Sequence, residues 1–301
     1  MTIGVAICTW NRSTLLAQTL ERLCELSVPP GITWQLIVVD NNSTDATPDV
    51  IKAFAARLPL RSAFEPRPGQ ANARNRALAE TSAQYLIWTD DDVLVDRGWL
   101  AAYARAFAAH PDAAFFGGPV EPWFEGEPPR WLHDHWQEVA NVFAVRQLGD
   151  TAFAFDAQRV PYGANFAVKV AIQRSYPYDP SLGLRPGSEV RGEETQNLRR
   201  LLAAGYTGWW VPDAKVQHFV PRQRQSLAYL RKFFVGQGEV QSRDFGQADV
   251  PRILGRPRWL LKRALTAETR YRWSRITAPP DVWLRHLIEA ATAWGHLKAA
   301  P

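Results

Sequence analysis

The sequence predicts an α/β fold: a mostly parallel sheet flanked by helices, followed by a helical C-terminal extension. Three observations carry this. Apolar runs of strand length alternate with stretches whose apolar residues recur every three or four positions, the signature of strand–helix units joined by right-handed crossovers. Those runs end in polar or acidic residues, most abruptly at Tyr85-Leu86-Ile87-Trp88-Thr89-Asp90-Asp91-Asp92. From about residue 220 the pattern turns helical and basic.

In order, residues 3–8 read as a buried strand, and Ser13 or Thr14 is positioned to cap a helix that buries Leu16, Leu20, Leu23 and Cys24. Trp34–Asp40 is the second strand, with Thr44 or Asp45 capping the helix through Val50, Ile51 and Phe54. Arg61–Phe64 is a short third strand, and a helix over Ala71–Glu80 carries Arg74. After the acid-ended strand come a helix over 98–109 and a strand over Ala114–Val120. Residues 121–160 read as an irregular excursion with a short helix. A strand over Tyr162–Val168 leads into a Gly/Pro-rich loop through Gly192, and Glu193-Glu194 opens a helix. Trp209–Pro212 and Ala214–His218 complete the body, with His218 ending its last strand. The tail helices fall at about 226–242, 258–273 and 281–298. The expected domains are 1–219 and 220–301.

Length and composition fit this plan. The chain has 301 residues, 46% hydrophobic and 22% charged, which argues against disorder. Two cysteines, Cys8 and Cys24, support neither a disulfide framework nor a zinc site and point to a reducing compartment. The start lacks a basic leader and no apolar run reaches bilayer length, so a cytoplasmic location is expected. Residues 220–301 hold 15 basic and 6 acidic residues, net +9, against 20 and 24, net −4, in 1–219. A basic tail with four Trp favours an anionic membrane surface over nucleic acid. One of its helices carries Tyr229, Leu230, Phe233 and Phe234 beside Arg231 and Lys232; these residues either dock on such a surface or fold over an acceptor site.

Three adjacent carboxylates at a strand end repel one another and lose solvation if enclosed, so a fold keeps them where a cation neutralises them. Hard cations such as Mg²⁺ and Mn²⁺ take oxygen ligands and share them with substrate phosphates. Ligands of open parallel sheets bind at the carboxyl ends of strands, and Thr9, Asp40 and Asp90–Asp92 all end strands. Asp40 accepts hydrogen bonds from a base or ribose, or caps its own turn. Arg74 contacts a base or phosphate, or lies solvated on its helix. Glu193 and Glu194 satisfy a helix dipole or supply a general base. His218 packs in the core or completes a metal site with the carboxylates. G-x-G-x-x-G, P-loop and G-x-S-x-G patterns are absent, so phosphates must be held by a metal and side chains.

Taken together, Val5–Arg12, Ile37–Asp45, Gly69–Asn75, Thr89–Asp92, Gly163–Phe166, Gly192–Glu194, Leu198–Tyr206 and Val211–His218 resemble, in order and spacing, the family 2 glycosyltransferases. These are inverting enzymes of the GT-A, Rossmann-like fold. The resemblance covers most of 1–219. It implies that Thr9, Asp40 and Arg74 bind the nucleotide, that Asp90 or Asp91 touches ribose and metal, and that Asp92 is the D-x-D aspartate holding Mn²⁺ or Mg²⁺. Glu194 stands where the family usually has Asp, the catalytic base, and His218 matches a histidine near the metal in some relatives.

The expected function is therefore transfer of a hexosyl group from a nucleoside-diphosphate sugar to a hydroxyl of a glycan or lipid-linked acceptor, in bacterial cell-surface polysaccharide synthesis. Peripheral contact with the inner face of the plasma membrane accompanies it, and no nucleic acid is expected as partner. The competing readings are a non-catalytic nucleotide-sugar or glycan-binding protein and a sugar nucleotidyltransferase.

Overall fold

The computed structural model describes residues 1–183, 192–241, 250–253 and 255–299. Most of the expected Gly/Pro-rich loop before Gly192, and residue 242 of the first tail helix, lie outside the described residues. The elements run β1 (Thr2–Thr9), α1 (Ser13–Leu23), β2 (Thr33–Asp40), α2 (Thr47–Phe54), β3 (Leu60–Phe64), α3 (Gln70–Glu80), β4 (Tyr85–Asp90), β5 (Val93–Val95), α4 (Trp99–Ala109), β6 (Phe115–Gly117) and β7 (Val120–Phe124). Two short helices, α5 (Arg130–Asp134) and α6 (Trp136–Val139), and a 3₁₀ turn precede β8 (Asn165–Lys169), α7 (Val170–Gln173), α8 (Glu193–Ala203), β9 (Gly208–Trp210) and β10 (Val216–Val220). The chain continues with α9 (Leu227–Gln241), β11 (Arg252–Ile253), β12 (Arg256–Pro257), α10 (Arg258–Thr277) and α11 (Pro280–Ala299).

The chain divides into two compact units. One comprises Met1–Trp123 and Ala144–Phe219, the other Phe124–Phe143 and Val220–Pro301. In the first, seven strands pair in the order β3-β2-β1-β4-β8-β6-β9. The pairs β3–β2, β2–β1, β1–β4 and β6–β9 are parallel, and β8 runs antiparallel between β4 and β6. Continuous apolar strands follow from burial on both faces. Ile3, Val5 and Ile7 join one core with Leu16, Leu20, Trp99, Tyr103 and Phe107 of α1 and α4. Ala6, Leu86 and Trp88 point the other way, into a core with Ala73, Ala77, Leu198 and Leu201 of α3 and α8.

The strand expected over Ala114–Val120 is two strands in different sheets. Phe115–Gly117 belongs to the large sheet, while β7 joins a three-stranded sheet ordered β5-β10-β7. The break falls at Gly118, where a Cβ would sit 2.2 Å from Ala214 O. Asn165 holds this junction. Fully buried, it accepts from Trp99 Nε1 and Tyr103 OH, both at 2.9 Å, and its amide donates to Pro119 O at 2.8 Å and Ala214 O at 2.7 Å. His218 lies inside β10 rather than at its end, because the strand continues to Val220.

One capping expectation changes. Neither Ser13 nor Thr14 caps α1; Asp45 Oδ2 accepts from Ser13 N at 3.0 Å instead. Asp45 Oδ1 also accepts from Thr47 N at 3.0 Å, so one carboxylate serves the starts of both α1 and α2.

In the second unit α11 packs on both α9 and α10. The α9–α11 crossing is close because glycines face each other: a Cβ on Gly295 would lie 2.1 Å from Val235 O, and one on Gly238 2.3 Å from Thr292 O. Part of the expected irregular excursion joins this unit through a run of rings, Phe124–Trp136 at 5.2 Å, Trp136–Phe143 at 5.5 Å and Phe143–Tyr229 at 6.0 Å. Leu230 and Phe234 are buried, and Tyr229 and Phe233 are half-buried, so the apolar stripe of α9 serves the core.

Asn165→Ala would remove the side-chain partner of four groups, two on α4 and two on the loops at residues 119 and 214. It is expected to lower stability by about 3 kcal/mol or more, read as a fall in urea midpoint at unchanged m-value.

Candidate active site

The strand order reverses at β1, with β2 on one side and β4 on the other. A crevice therefore opens beyond the carboxyl ends of β1 and β4, where ligands of such sheets bind. The register aligns Thr9 with Asp40 and Cys8 with Asp90. The three strand-ending groups expected at this edge are thus neighbours.

Asp90 closes β4, and Asp91 and Asp92 form the turn into β5. Asp91 and Asp92 are 4% exposed, and Asp90 is half-buried. The cation that such a cluster demands is partly the protein's own. Arg12 Nη1 lies 2.9 Å from Asp91 Oδ1 and 2.7 Å from Asp92 Oδ2. Thr9 Oγ1 donates to Asp91 Oδ2 at 2.7 Å. Burial drives the Asp91 carboxyl up to about 7, against the pull of Arg12. Asp90 is raised for the same first reason, with Arg74 opposing. Burial also lifts the Cys8 thiol to about 12, so it is no thiolate nucleophile.

The antiparallel pairing of β10 with β5 sets His218 opposite Val93, and Phe219 N donates to Asp92 O at 2.9 Å. His218 Nε2 consequently reaches within 3.4 Å of Asp92 Oδ1. Asp90, Asp92 and His218 each offer one ligand atom, and the three atoms lie within 4.8 Å of one another. Asp92 Oδ1, the oxygen that Arg12 leaves alone, is buried and accepts no hydrogen bond. Two carboxylates, one of them with an orphaned buried oxygen, and an imidazole fit a divalent cation.

The loops around this edge are tied together. Asn11, at φ 52°, accepts from Thr44 N at 2.7 Å and donates its own N–H to Ser43 Oγ at 3.0 Å. Asp40 Oδ1 accepts from Ser43 N at 2.9 Å, so it caps its own turn. Asn41 Nδ2 donates to Glu65 O and Arg67 O, and its Oδ1 accepts from Gly69 N. This fixes the entry to α3, with Gly69 at φ 128°.

Arg74, on α3, is 2% exposed rather than solvated. Its guanidinium carbon lies 5.1, 5.3 and 5.7 Å from the rings of Trp88, Phe166 and Tyr178. Arg74 Nε is 3.4 Å from Glu193 Oε1, and Nη2 is 3.9 Å from Asp90 Oδ1. Arg74 thus links the acids of β4 to those of α8. Glu193 is buried with this partner, whereas Glu194 is half-buried beside it. Burial raises the Glu194 carboxyl to about 7; the neighbouring Glu193 adds to the rise and Arg74 opposes it. A Cβ at Gly163 would lie 3.0 Å from Arg74 Nη2 and 3.3 Å from Glu194 Cδ, so the glycine admits both side chains.

The edge therefore gathers all the sequence-predicted residues into two linked charge clusters. Thr9, Asp91, Asp92 and His218 form one, and Arg74, Glu193 and Glu194 the other, with Asp90 between; Asp40 sits alongside Thr9. Arg12 escaped assignment, although it lies three residues past a strand end on an edge holding three acids. Asn41 escaped because its role is to hold backbone, which has no periodic signal.

Glycosyl transferase family 2 matches this chain over residues 4–162. The succinoglycan biosynthesis protein ExoM of Rhizobium meliloti is 26% identical over 246 residues, 80% of this chain and 74% of that protein. The validoxylamine A glucosyltransferase of Streptomyces hygroscopicus subsp. limoneus is 30% identical over 161 residues, 53% of this chain and 35% of that protein. Among solved structures, the mannosyltransferase PcManGT from Pyrobaculum calidifontis, in complex with GDP-Man and Mn²⁺, superposes with a TM-score of 0.63 at 17% identity, covering 99% of this chain and 86% of that one.

The raised Glu194 carboxyl has a consequence for stability. Folding favours its neutral form, so its contribution is present at low pH and is lost as pH rises from the unfolded value through about 7. Glu194→Gln is expected to raise Tm by a few degrees above pH 8, with the gap closing near pH 4, in thermal melts of both proteins.

Proposed function

The chain belongs to glycosyl transferase family 2 and has the GT-A fold, and from that premise we propose an inverting hexosyltransferase with Glu194 as its general base. The donor is a nucleoside-diphosphate sugar. The observation that carries the reading is a carboxyl titrating near 7 beside a neighbour already engaged by Arg74, linked through that arginine to the acidic strand end. A base with a pKa near neutrality is about half ionised at neutral pH and is still strong enough to accept a proton. Glu193 is occupied with Arg74, which favours Glu194 for the role.

Glu194 takes the proton of an acceptor hydroxyl as that oxygen attacks the anomeric carbon. The bond from that carbon to the diphosphate oxygen breaks on the opposite face, and the configuration inverts. Asp90, Asp92 and His218 are the proposed holders of Mn²⁺ or Mg²⁺, which when bound offsets charge developing on the diphosphate. The imidazole in that set favours Mn²⁺. Arg12 and Thr9 keep Asp91 and one oxygen of Asp92 engaged, leaving the other oxygen of Asp92 for the cation. Thr9, Asp40 and Arg74 line or support the nucleotide side of the crevice, and Asp90 or Asp91 reaches the ribose.

The acceptor is a hydroxyl of a glycan or a lipid-linked glycan, and the setting is bacterial cell-surface polysaccharide synthesis in the cytoplasm. The name of the Rhizobium relative supports that setting. No helix among the described residues is long and apolar enough to cross a membrane.

Glu194→Gln is expected to cut transfer by about 10²–10⁴-fold while donor binding, followed by thermal shift, stays near parental. Full activity in that variant would remove the base assignment. In the parent, turnover rises with pH through about 7 as Glu194 ionises, and this limb disappears in the variant. The released product is nucleoside diphosphate; pyrophosphate would mark a nucleotidyltransferase. Adding Mn²⁺ raises the parent's Tm but not that of Asp92→Asn, and excess EDTA stops transfer.

A further inference from the structure

Helix α10 carries a second surface with no part in the chemistry above. Its inward positions Leu260, Ala264, Ala267 and Ser274 recur every three to seven residues, and the first three pack in a small core with Ala293 and Leu297 of α11. The opposite side presents Trp259, Leu265, Trp273 and Ile276 to solvent. At 100° per residue these four fall within about one third of the helix circumference. Trp273 is 71% exposed and Ile276 86%, a degree that no core role explains.

Charge distinguishes this face from an ordinary sticky patch. The helix holds six basic residues, Arg258, Lys262, Arg263, Arg270, Arg272 and Arg275, and one acid, Glu268. Glu268 is turned inward, 13% exposed, and is met by Arg231 at 2.6 Å, Arg272 at 3.0 Å and Trp294 Nε1 at 3.2 Å. The outward face of α10 therefore bears Arg258, Lys262, Arg270 and Arg272 among its apolar residues and no carboxylate. The nearest acid from α11 is Glu289, 3.5 Å from Arg270.

We propose that this face of α10 docks on an anionic lipid bilayer, Trp259, Leu265, Trp273 and Ile276 entering the interface and the basic residues meeting lipid phosphates. Exposed Trp and aliphatic side chains set among Arg and Lys on one face of this 20-residue helix offer apolar area and positive charge together, the two contributions to interfacial binding, and the helix is not apolar enough to span. A second copy is disfavoured, since a two-fold pairing would set this basic face against itself. Nucleic acid offers phosphates but no apolar phase for Leu265 and Ile276. The surface lies on α10, not on the α9 stripe, which is core. The proposal is independent of how the sugar is transferred.

The test is flotation of the full chain with vesicles of phosphatidylcholine alone and of equimolar phosphatidylcholine and phosphatidylglycerol. Binding is expected to the anionic vesicles, at least about tenfold weaker to the neutral ones, and weakened by molar salt. Arg258→Ser with Lys262→Ser should lower partition about 30-fold, roughly fivefold for each basic residue near an anionic surface. Trp273→Ser with Ile276→Ser should lower it at least about tenfold. Both variants keep the parental Tm and donor binding, because the residues are exposed and belong to the second unit, which holds none of the crevice residues. The proposal is overturned by equal binding to neutral vesicles, by variants that float like the parent, by capture on RNA or soluble glycan without vesicle binding, or by a dimer in light scattering that the variants abolish.

Discussion

Three adjacent carboxylates enclosed at the end of a strand are unstable unless positive charge meets them, and much of the first unit is arranged around that constraint. Arg12 reaches back from the start of α1 to Asp91 and Asp92, and His218 approaches Asp92 from β10. Both depend on backbone set elsewhere. The Arg12 loop is held through Asn11 to Ser43 and Thr44, and its next residue through Asp45. His218 is held by the β5–β10 register. The protein thus neutralises part of the cluster itself and leaves Asp90, one oxygen of Asp92 and an imidazole facing one another.

The second cluster obeys the same logic with a different outcome. Arg74 is enclosed by three rings and two carboxylates, so its charge is spent on Glu193 and Asp90. Glu194 is left in a desolvated position with only partial compensation, and its carboxyl is raised. An acid kept near neutrality by burial costs stability, which folds tolerate where chemistry uses it. Gly163 belongs to this arrangement, since its missing side chain lets Arg74 and Glu194 approach.

Much of this was legible in the residues, for identifiable reasons. Strands buried on both faces leave continuous apolar runs, so β1, β2 and β4 stand out. The acids sit at strand ends because the sheet interior excludes them. Signals failed where a segment's partner is distant in sequence. The break at Gly118 follows from Ala214, nearly a hundred residues on, and Phe124–Phe143 joins the C-terminal helices through rings that carry no local periodicity. The apolar stripe of α9 could be read as a docking surface or as a cover for an acceptor site, because the helix it packs on, α11, comes much later in the chain.

By itself the sequence determined the α/β class, the carboxyl-end edge and the residue types gathered there, because periodicity and strand-end chemistry are local properties. Only the tertiary structure decided which charge answers which. Arg12 rather than a bound ion alone meets Asp91 and Asp92, Arg74 engages Glu193 and leaves Glu194 raised, and the exposed tail face is that of α10. Pairing and burial depend on distances between residues far apart in the chain, and those distances exist only once the strands and helices have packed.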